Sequence, residues 1–333
     1  DDSNPFDVIA RYGVATTQLC NWDMAKWTKE NAKKVKRDLK SSGVRLAALW
    51  TGYSGTVIWD LIDGPDTMGI VPEYTRKRRI ADLKAGADFA ARIGAPAIIT
   101  HCGFIPETPK SHLYMEVLDA LGEIAEYCRQ LGLGFWFETG QETPVTLLRT
   151  IEDLALPNLG INLDTANIIL YGKGNPLDSL DVFGKYVRNL HVKDGVYPVD
   201  GHKLGHEVAI GKGKVDFKKI IPKLHELGFK GELVIEREIS GEQQYSAAMK
   251  DCRDKVALLD SEMAKLQSAY SGQMNTLEAL QQKGQILSQK YDAQKQKVDG
   301  LRSAVDNAKA AQQEWQKRAE TSAQKAEALS QRL

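Results

Sequence analysis

The sequence predicts an α/β fold of the (β/α)8 TIM-barrel type, followed by a long α-helical, coiled-coil-like segment. Three observations predict it. Short β-branched or aromatic runs alternate with helical stretches over residues 1–244, the grammar of a parallel α/β protein. Those runs are apolar on both faces, as strands covered by helices must be. Every proline lies at or before Pro222, and beyond residue 245 the chain is rich in Ala, Gln, Lys, Ser, Glu and Leu, with glycine only at Gly272, Gly284 and Gly300. Two domains follow, a barrel over 1–244 and a helical tail over 245–333.

Taken in order, "NPFDVIARYG" reads as a helix ahead of the first strand, "GVATTQL" (13–19). Further strands are expected at "VRLAALW" (44–50), "APAIIT" (95–100), "LGFWFE" (133–138), "LGINLD" (159–164), "VRNLH" (187–191) and "ELVIE" (232–236). The helices between them carry their own punctuation: Thr28 as N-cap with Gly43 closing, then closures on Gly94 and Gly132, and Asp216 as N-cap of the last. Seven strands are evident. The eighth either precedes the first or is "TVIWDL" (56–61); an open doubly wound sheet is the alternative architecture. In the tail one heptad register runs from about Met249 to Leu333, with Val256, Met263, Tyr270 and Leu277 at a and Leu259, Leu266, Leu280 and Leu287 at d. Gln273, Gly284, Gln294 and Gln312 interrupt the seam. Such a stripe needs a partner, so homo-oligomerisation through the tail is expected.

The 44 basic and 44 acidic side chains cancel, which argues against nucleic-acid binding, since that needs surplus Lys and Arg to displace counterions. No apolar run reaches the roughly 18–20 residues that span a bilayer. Cys20, Cys102, Cys128 and Cys252 form no CxxC pair, so neither a zinc knuckle nor a disulfide scaffold is signalled. The chain opens Asp1-Asp2-Ser3 without Met, as a processed or trimmed chain would; the cytoplasm is the expected compartment, with export after signal removal as the alternative.

In a parallel barrel the reactive groups stand at the C-terminal strand ends. Four runs end there on a metal-competent residue: Glu138, Asp164, His191 and Glu236. Three carboxylates and an imidazole make a hard site of mixed oxygen and nitrogen, suited to one divalent ion, with Mn2+ first and Mg2+, Co2+ or Zn2+ as alternatives. At these residues the sequence resembles the xylose-isomerase-like TIM-barrel superfamily, in the branch of ketose 3-epimerases, inosose dehydratases and sugar phosphate isomerase/epimerase proteins. The resemblance covers about residues 5–243 and rests on "FETGQE", "NLDTAN", "HVKDG", "GKGKVDF" and "GELVIERE". It implies that Glu138, Asp164, His191 and Glu236 bind the cation and that Glu138 and Glu236 also serve as the catalytic acid/base pair. The implied activity is isomerisation or epimerisation of a sugar or keto-sugar through an enediolate. Elimination by the same site, as in a dehydratase or keto-glycoside lyase, is the alternative, and a non-enzymatic sugar-binding barrel on a stalk is a third.

One departure is Asn167, which stands where the ketose epimerases carry a histidine three residues after the aspartate; this puts the epimerase substrate contact in question. With six histidines in the chain, the trinuclear zinc cluster of the related endonucleases is excluded. Further substrate-binding candidates are His101 after "AIIT", Lys193 beside an oxyanion or paired with Asp194, His206 in the loop before Asp216, and Trp50 with Trp22 and Trp59 as an apolar wall against a sugar ring. Glu142 supports the site or caps the next helix. "GKGK" lacks the spacing of a phosphate-cradling loop and reads as a flexible rim.

Overall fold

The computed structural model describes residues 4–238 and, beyond them, 261, 264, 265, 268, 281–290 and 292. Contacts divide the chain into two units, Asp1–Arg237 and Glu238–Leu333. In the second unit residues 261, 264, 265, 268, 281–290 and 292 are helical; the rest of the expected heptad seam lies outside the described residues. No described helix is long and apolar enough to cross a membrane.

Residues 4–238 hold nine strands and nine α-helices. The strands are β1 Thr16–Asn21, β2 Arg45–Thr51, β3 Ala97–Thr100, β4 Gly134–Glu138, β5 Leu159–Asp164, β6 Val187–Val192, β7 Asp194–Val196, β8 His206–Val208 and β9 Leu233–Ile235. The helices are α1 Pro5–Arg11, α2 Lys29–Ser42, α3 Gly64–Thr67, α4 Glu73–Ile93, α5 His112–Gln130, α6 Pro144–Leu154, α7 Asn167–Leu170, α8 Pro176–Phe183 and α9 Phe217–Glu226. Seven strands form one parallel sheet in the order β1-β2-β3-β4-β5-β6-β9, and β7 pairs β8 as a separate antiparallel hairpin. The sheet curls until β1 and β9 lie side by side. There Glu232 reaches across the seam, accepting from Thr16 Oγ1 at 3.1 Å and pairing with Arg45 at 3.3 Å. This is a TIM-barrel-like, nearly closed sheet of seven strands.

Residues 56–61 are not a strand. The long segment between β2 and α4 is instead gathered around the fully buried Arg79 of α4. Its guanidinium donates to the carbonyls of Ser54, Thr56, Thr67 and Gly69 at 2.6–3.1 Å and lies 4.5 Å from the Tyr53 ring centroid. Carbonyls taken up by a cation are not offered to a strand ladder. A Cβ on Gly69 would fall 2.0 Å from the Cys102 carbonyl, so only glycine lets this segment press onto the chain that follows β3.

The helix signals act where they stand. Thr28 Oγ1 accepts from Asn31 N, and Gly43 and Gly94 close α2 and α4 at φ 72° and 80°. Asp216 precedes α9, but its side chain makes no capping bond; it lies 3.2 Å from Lys219 instead. The core runs through Leu49, Ile98, Phe135, Phe137, Ile161, Leu163 and Leu190 of the strands against Leu83, Phe89, Val117, Leu121 and Ile151 of the helices.

Candidate metal centre

Side chains alternate across a strand, so residues two apart share a face. Trp136 and Glu138 on β4, Asn162 and Asp164 on β5, and Asn189 and His191 on β6 are such pairs. The β5–β6 register shifts between Ile161 and Asn162, which sets Asn162 opposite Asn189 and Asp164 opposite His191. Glu236 follows β9 directly. One ligand atom from each of Glu138, Asp164, His191 and Glu236 lies within 4.8 Å of the other three.

His191 Nδ1 is the hub: it stands 3.0 Å from Glu138 Oε1, 3.0 Å from Glu236 Oε2 and 3.7 Å from Asp164 Oδ2. Asp164 is tied from behind, its Oδ1 accepting from the backbone N–H groups of Ala166 and Asn167 at 2.8 Å. Lys193, buried, places Nζ 3.2 Å from Asp164 Oδ2, 3.1 Å from Glu236 Oε2 and 3.2 Å from Asn167 Oδ1. Lys193 therefore spans two of the clustered carboxylates, and Asp194 has another task. Its carboxylate accepts from the N–H groups of Gly195, Gly211, Gly213 and Val215 at 2.8–3.1 Å. The "GKGK" turn is thus pinned: its two glycine amides point at a protein carboxylate and its two lysine amides donate to backbone carbonyls.

Burial sets the electrostatics. It pushes Glu138 up to about 7, with Glu236 and Asp164 adding to the rise against the pull of His191. Burial likewise raises Glu236. Asp164 is held well below the usual carboxylate range: burial works against this, but Lys193 and His191 outweigh it. Burial alone would depress the His191 imidazole, yet the surrounding carboxylates raise it well above its ordinary value.

The donor set fits a divalent cation on two grounds. With a cation bound and the imidazole neutral, three carboxylates against the one Lys193 ammonium leave two negative charges, which a divalent ion balances. Glu138 Oε1 and His191 Nδ1 are also buried without a hydrogen-bond partner, 3.0 Å apart; buried polar atoms left so usually await a ligand.

Beside the cluster lies an aromatic group. Trp22 packs on Trp50, Tyr53 and Trp59 with ring centroids 5.2, 5.4 and 6.2 Å away, and His101 stands edge-on to Trp50 at 5.7 Å and Trp59 at 5.1 Å. A Cβ on Gly52 would strike the Trp22 ring at 2.5 Å, so the glycine gives that indole its seat. His101 is kept neutral, driven down to about 3 by burial. Its Nδ1, both amide atoms of Gln141 and Oε2 of Glu142 are buried without partners. Glu142 does not cap α6, a role Thr143 fills; burial lifts its carboxyl to about 8.

The structure thus brings Glu138, Asp164, His191, Glu236, Lys193 and Asn167 into contact and sets Trp50 and His101 in the adjoining aromatic group. His206 is elsewhere. It is exposed on the β7–β8 hairpin, opposite Val196. On the alternate face of β8, Glu207 pairs with Arg237 at 3.3 Å; strand alternation turns His206 the other way. Sequence reasoning passed over Gln18, Gln141, Asn162, Asn189 and the anchoring role of Asp194. For Asn162 and Asn189 there was a signal, since each lies two residues before a ligand and so on its face.

Three comparisons bear on this arrangement. Residues 6–257 match the family model described as xylose isomerase-like TIM barrel. The crystal structure of a xylose isomerase domain protein from Planctomyces limnophilus is 37% identical and superposes with a TM-score of 0.67 over 70% of this chain and 85% of that one. A ketose 3-epimerase from Arthrobacter globiformis is 24% identical over 242 residues, 68% of this chain and 76% of the relative. An uncharacterized protein of Methanocaldococcus jannaschii is 27% identical over 180 residues, 50% of this chain; the match spans 59% of the archaeal protein's length.

Proposed function

The chain belongs to the xylose isomerase-like TIM barrel family, and on that premise we propose that it is a divalent-metal-dependent isomerase or epimerase of a sugar or keto-sugar. The observation that carries the reading is the convergence of Glu138, Asp164, His191 and Glu236 from four strand ends to within 4.8 Å. When bound, a divalent ion would polarise the substrate carbonyl and stabilise the enediolate charge, acidifying the adjacent C–H.

The chain's own residues supply the rest. Glu138 and Glu236 both border His191 Nδ1 at 3.0 Å, so one, ionised, can take the proton next to the carbonyl while the other, protonated, delivers its own proton to the neighbouring position or the opposite face. Their raised affinity for protons suits that exchange near neutral pH. Lys193 holds Asp164 and Glu236 apart in charge and keeps Asn167 engaged. The unpartnered atoms of His101, Gln141 and Glu142 are suited to hydroxyl groups, and the Trp22–Trp50–Trp59 group to the apolar face of a sugar.

Asn167 favours a second reading. Its amide oxygen is committed to Lys193, so a histidine-like substrate contact is absent, and the same acid/base pair would expel a β-hydroxyl or glycosidic oxygen as a dehydratase or keto-glycoside lyase. Elemental analysis of purified protein after Mn2+ reconstitution tests the premise: about one ion per chain is expected, and none in Asp164→Asn. No bound ion in the parent protein would overturn the enzyme reading. Mass spectrometry of products from a keto-sugar screen then separates isomerisation, which conserves mass, from elimination. The heptad pattern of the tail supports self-association, which sedimentation of the full chain beside one ending at residue 249 would test; equal oligomeric states would exclude it.

A further inference from the structure

Beneath the clustered ligands the barrel interior holds three amide side chains whose hydrogen bonds have one consistent polarity. The backbone N–H of Glu232 can only donate, and it donates to Asn189 Oδ1 at 3.1 Å. That turns Asn189 Nδ2 toward Asn162, whose Oδ1 it meets at 2.9 Å. Gln18 Nε2 donates to the same oxygen at 3.1 Å. Asn162 therefore presents Nδ2 to Glu138 Oε2, 2.6 Å away, where an ionised carboxylate can only accept. With Nε2 committed to Asn162, Gln18 turns Oε1 to His191 Nε2 at 2.6 Å. An amide oxygen accepts and never donates, so the ring proton sits on Nε2.

No amide in the set can be reversed. A flipped Asn189 sets N–H against the Glu232 N–H, a flipped Asn162 sets oxygen against a carboxylate, and a flipped Gln18 sets oxygen against oxygen. Two atoms of the cluster are left outside the network, Glu138 Oε1 and His191 Nδ1, and both are buried without a hydrogen-bond partner.

We propose that Gln18, Asn162 and Asn189 are positioning residues for the metal centre, a directional amide network that fixes His191 as its Nε2–H form and commits one oxygen of Glu138 to the protein. The consequence is a predetermined ligand face: with Nε2 held protonated, Nδ1 of His191 is the nitrogen that gives up its proton and offers a lone pair to the cation, and Oε1 of Glu138 is the oxygen left for it. The proposal rests on the metal reading above and concerns which atoms ligate and what holds them. Partners that orient metal ligands in this way commonly change affinity by about 10–100-fold when removed.

Nitrogen-15 NMR of full-length, 15N-histidine-labelled protein, with and without Zn2+, reports the protonation of each His191 ring nitrogen, assigned by loss of its signals in His191→Asn. A proton on Nε2 in both states is expected, with Nδ1 unprotonated once Zn2+ is bound; an unprotonated Nε2 in either state overturns the proposal. Gln18→Leu should weaken Mn2+ binding about 10–100-fold and let the ring lose its single protonation pattern. Gln18→Glu keeps an acceptor for Nε2–H while losing the donor to Asn162 Oδ1, so it should keep the Nε2 proton signal that Gln18→Leu loses. Unchanged Mn2+ affinity and ring signals in Gln18→Leu would overturn the proposal, and if that variant fails to fold the wild-type spectrum decides. A wild-type protein that takes up no Mn2+ or Zn2+ would count against the proposed function instead, while the metal-free ring spectrum would still judge the network.

Discussion

The ends of β4, β5, β6 and β9 carry Glu138, Asp164, His191 and Glu236, whereas the ends of β1, β2 and β3 and the segment after β2 carry Trp22, Trp50, His101 and Trp59. The charged side is closed: Glu138, Asp164 and His191 are at most 1% exposed, and Glu236 is the ligand nearest solvent. The aromatic side is open at Trp22, 38% exposed, and Trp59, 43%, while Trp50 and His101 are buried. The contrast separates two kinds of work. Charges gathered for chemistry must leave water to gain strength, and must then be held by other buried polar groups. Rings that meet a substrate by contact must stay uncovered until it arrives. A change on the closed side should therefore act on turnover or stability, and one on the open side on binding.

The largest break is expected from Glu236→Gln. With a proton carrier lost, kcat should fall about a thousandfold with KM changed only a few-fold, read by steady-state kinetics on a keto-sugar substrate. A raised KM with kcat unchanged would place Glu236 in binding alone. Next is Asp194→Ala, which deprives four N–H groups of their acceptor. Stability should drop by roughly 3 kcal/mol in urea unfolding, with faster hydrogen exchange over residues 209–215; unchanged exchange there would mean the turn holds without it.

Glu142 sharpens the comparison through pH. Its carboxyl is lifted to about 8 by burial, so between the unfolded value near 4.5 and 8 the native state holds a proton that the unfolded chain has lost. Stability supplied by this group is complete below that window and declines as pH rises through it, by up to about 1.4 kcal/mol per unit. Glu142→Gln, which mimics the neutral acid, should lose less stability than the parent between pH 5.5 and 7.5. Parallel losses would show that Glu142 is ionised when folded. Smallest is Trp59→Ala: KM should rise roughly three- to tenfold with kcat little altered, and an altered kcat would draw this ring into the closed side.

The division between the two sides also marks how much could be read in advance. The strand order, the capped ends of α2 and α4 and the four strand-end residues that converge were legible, because parallel strands leave apolar runs and a charged or imidazole group ending such a run stands out. Lys193 and Asn167 were legible as neighbours of ligands, while their contacts were not: Lys193 meets Asp164, 29 residues away in sequence, and Glu236, 43 away. Gln18, Asn162 and Asn189 were passed over because a polar residue inside an apolar strand carries no sign of its partner. The hydrogen bonds that explain them join different strands, and the Gln18–His191 contact spans 173 residues. His206 stood out as a substrate contact only from its loop position before Asp216, and the structure places it exposed on the β7–β8 hairpin, opposite Val196.

Arg79 has one more effect. By collecting four carbonyls from the stretch between Ser54 and Gly69, it settles the stretch that carries Trp59 before any sugar is present. Ordering a free stretch of chain costs roughly 1–2 kcal/mol per residue, a loss that would otherwise be charged against every binding event. Here the cost is met once, during folding, and under the proposed function the indole would meet its ligand as part of a rigid surface. Affinity for a small polyol, which offers few apolar atoms to repay such a loss, would depend on that preorganisation.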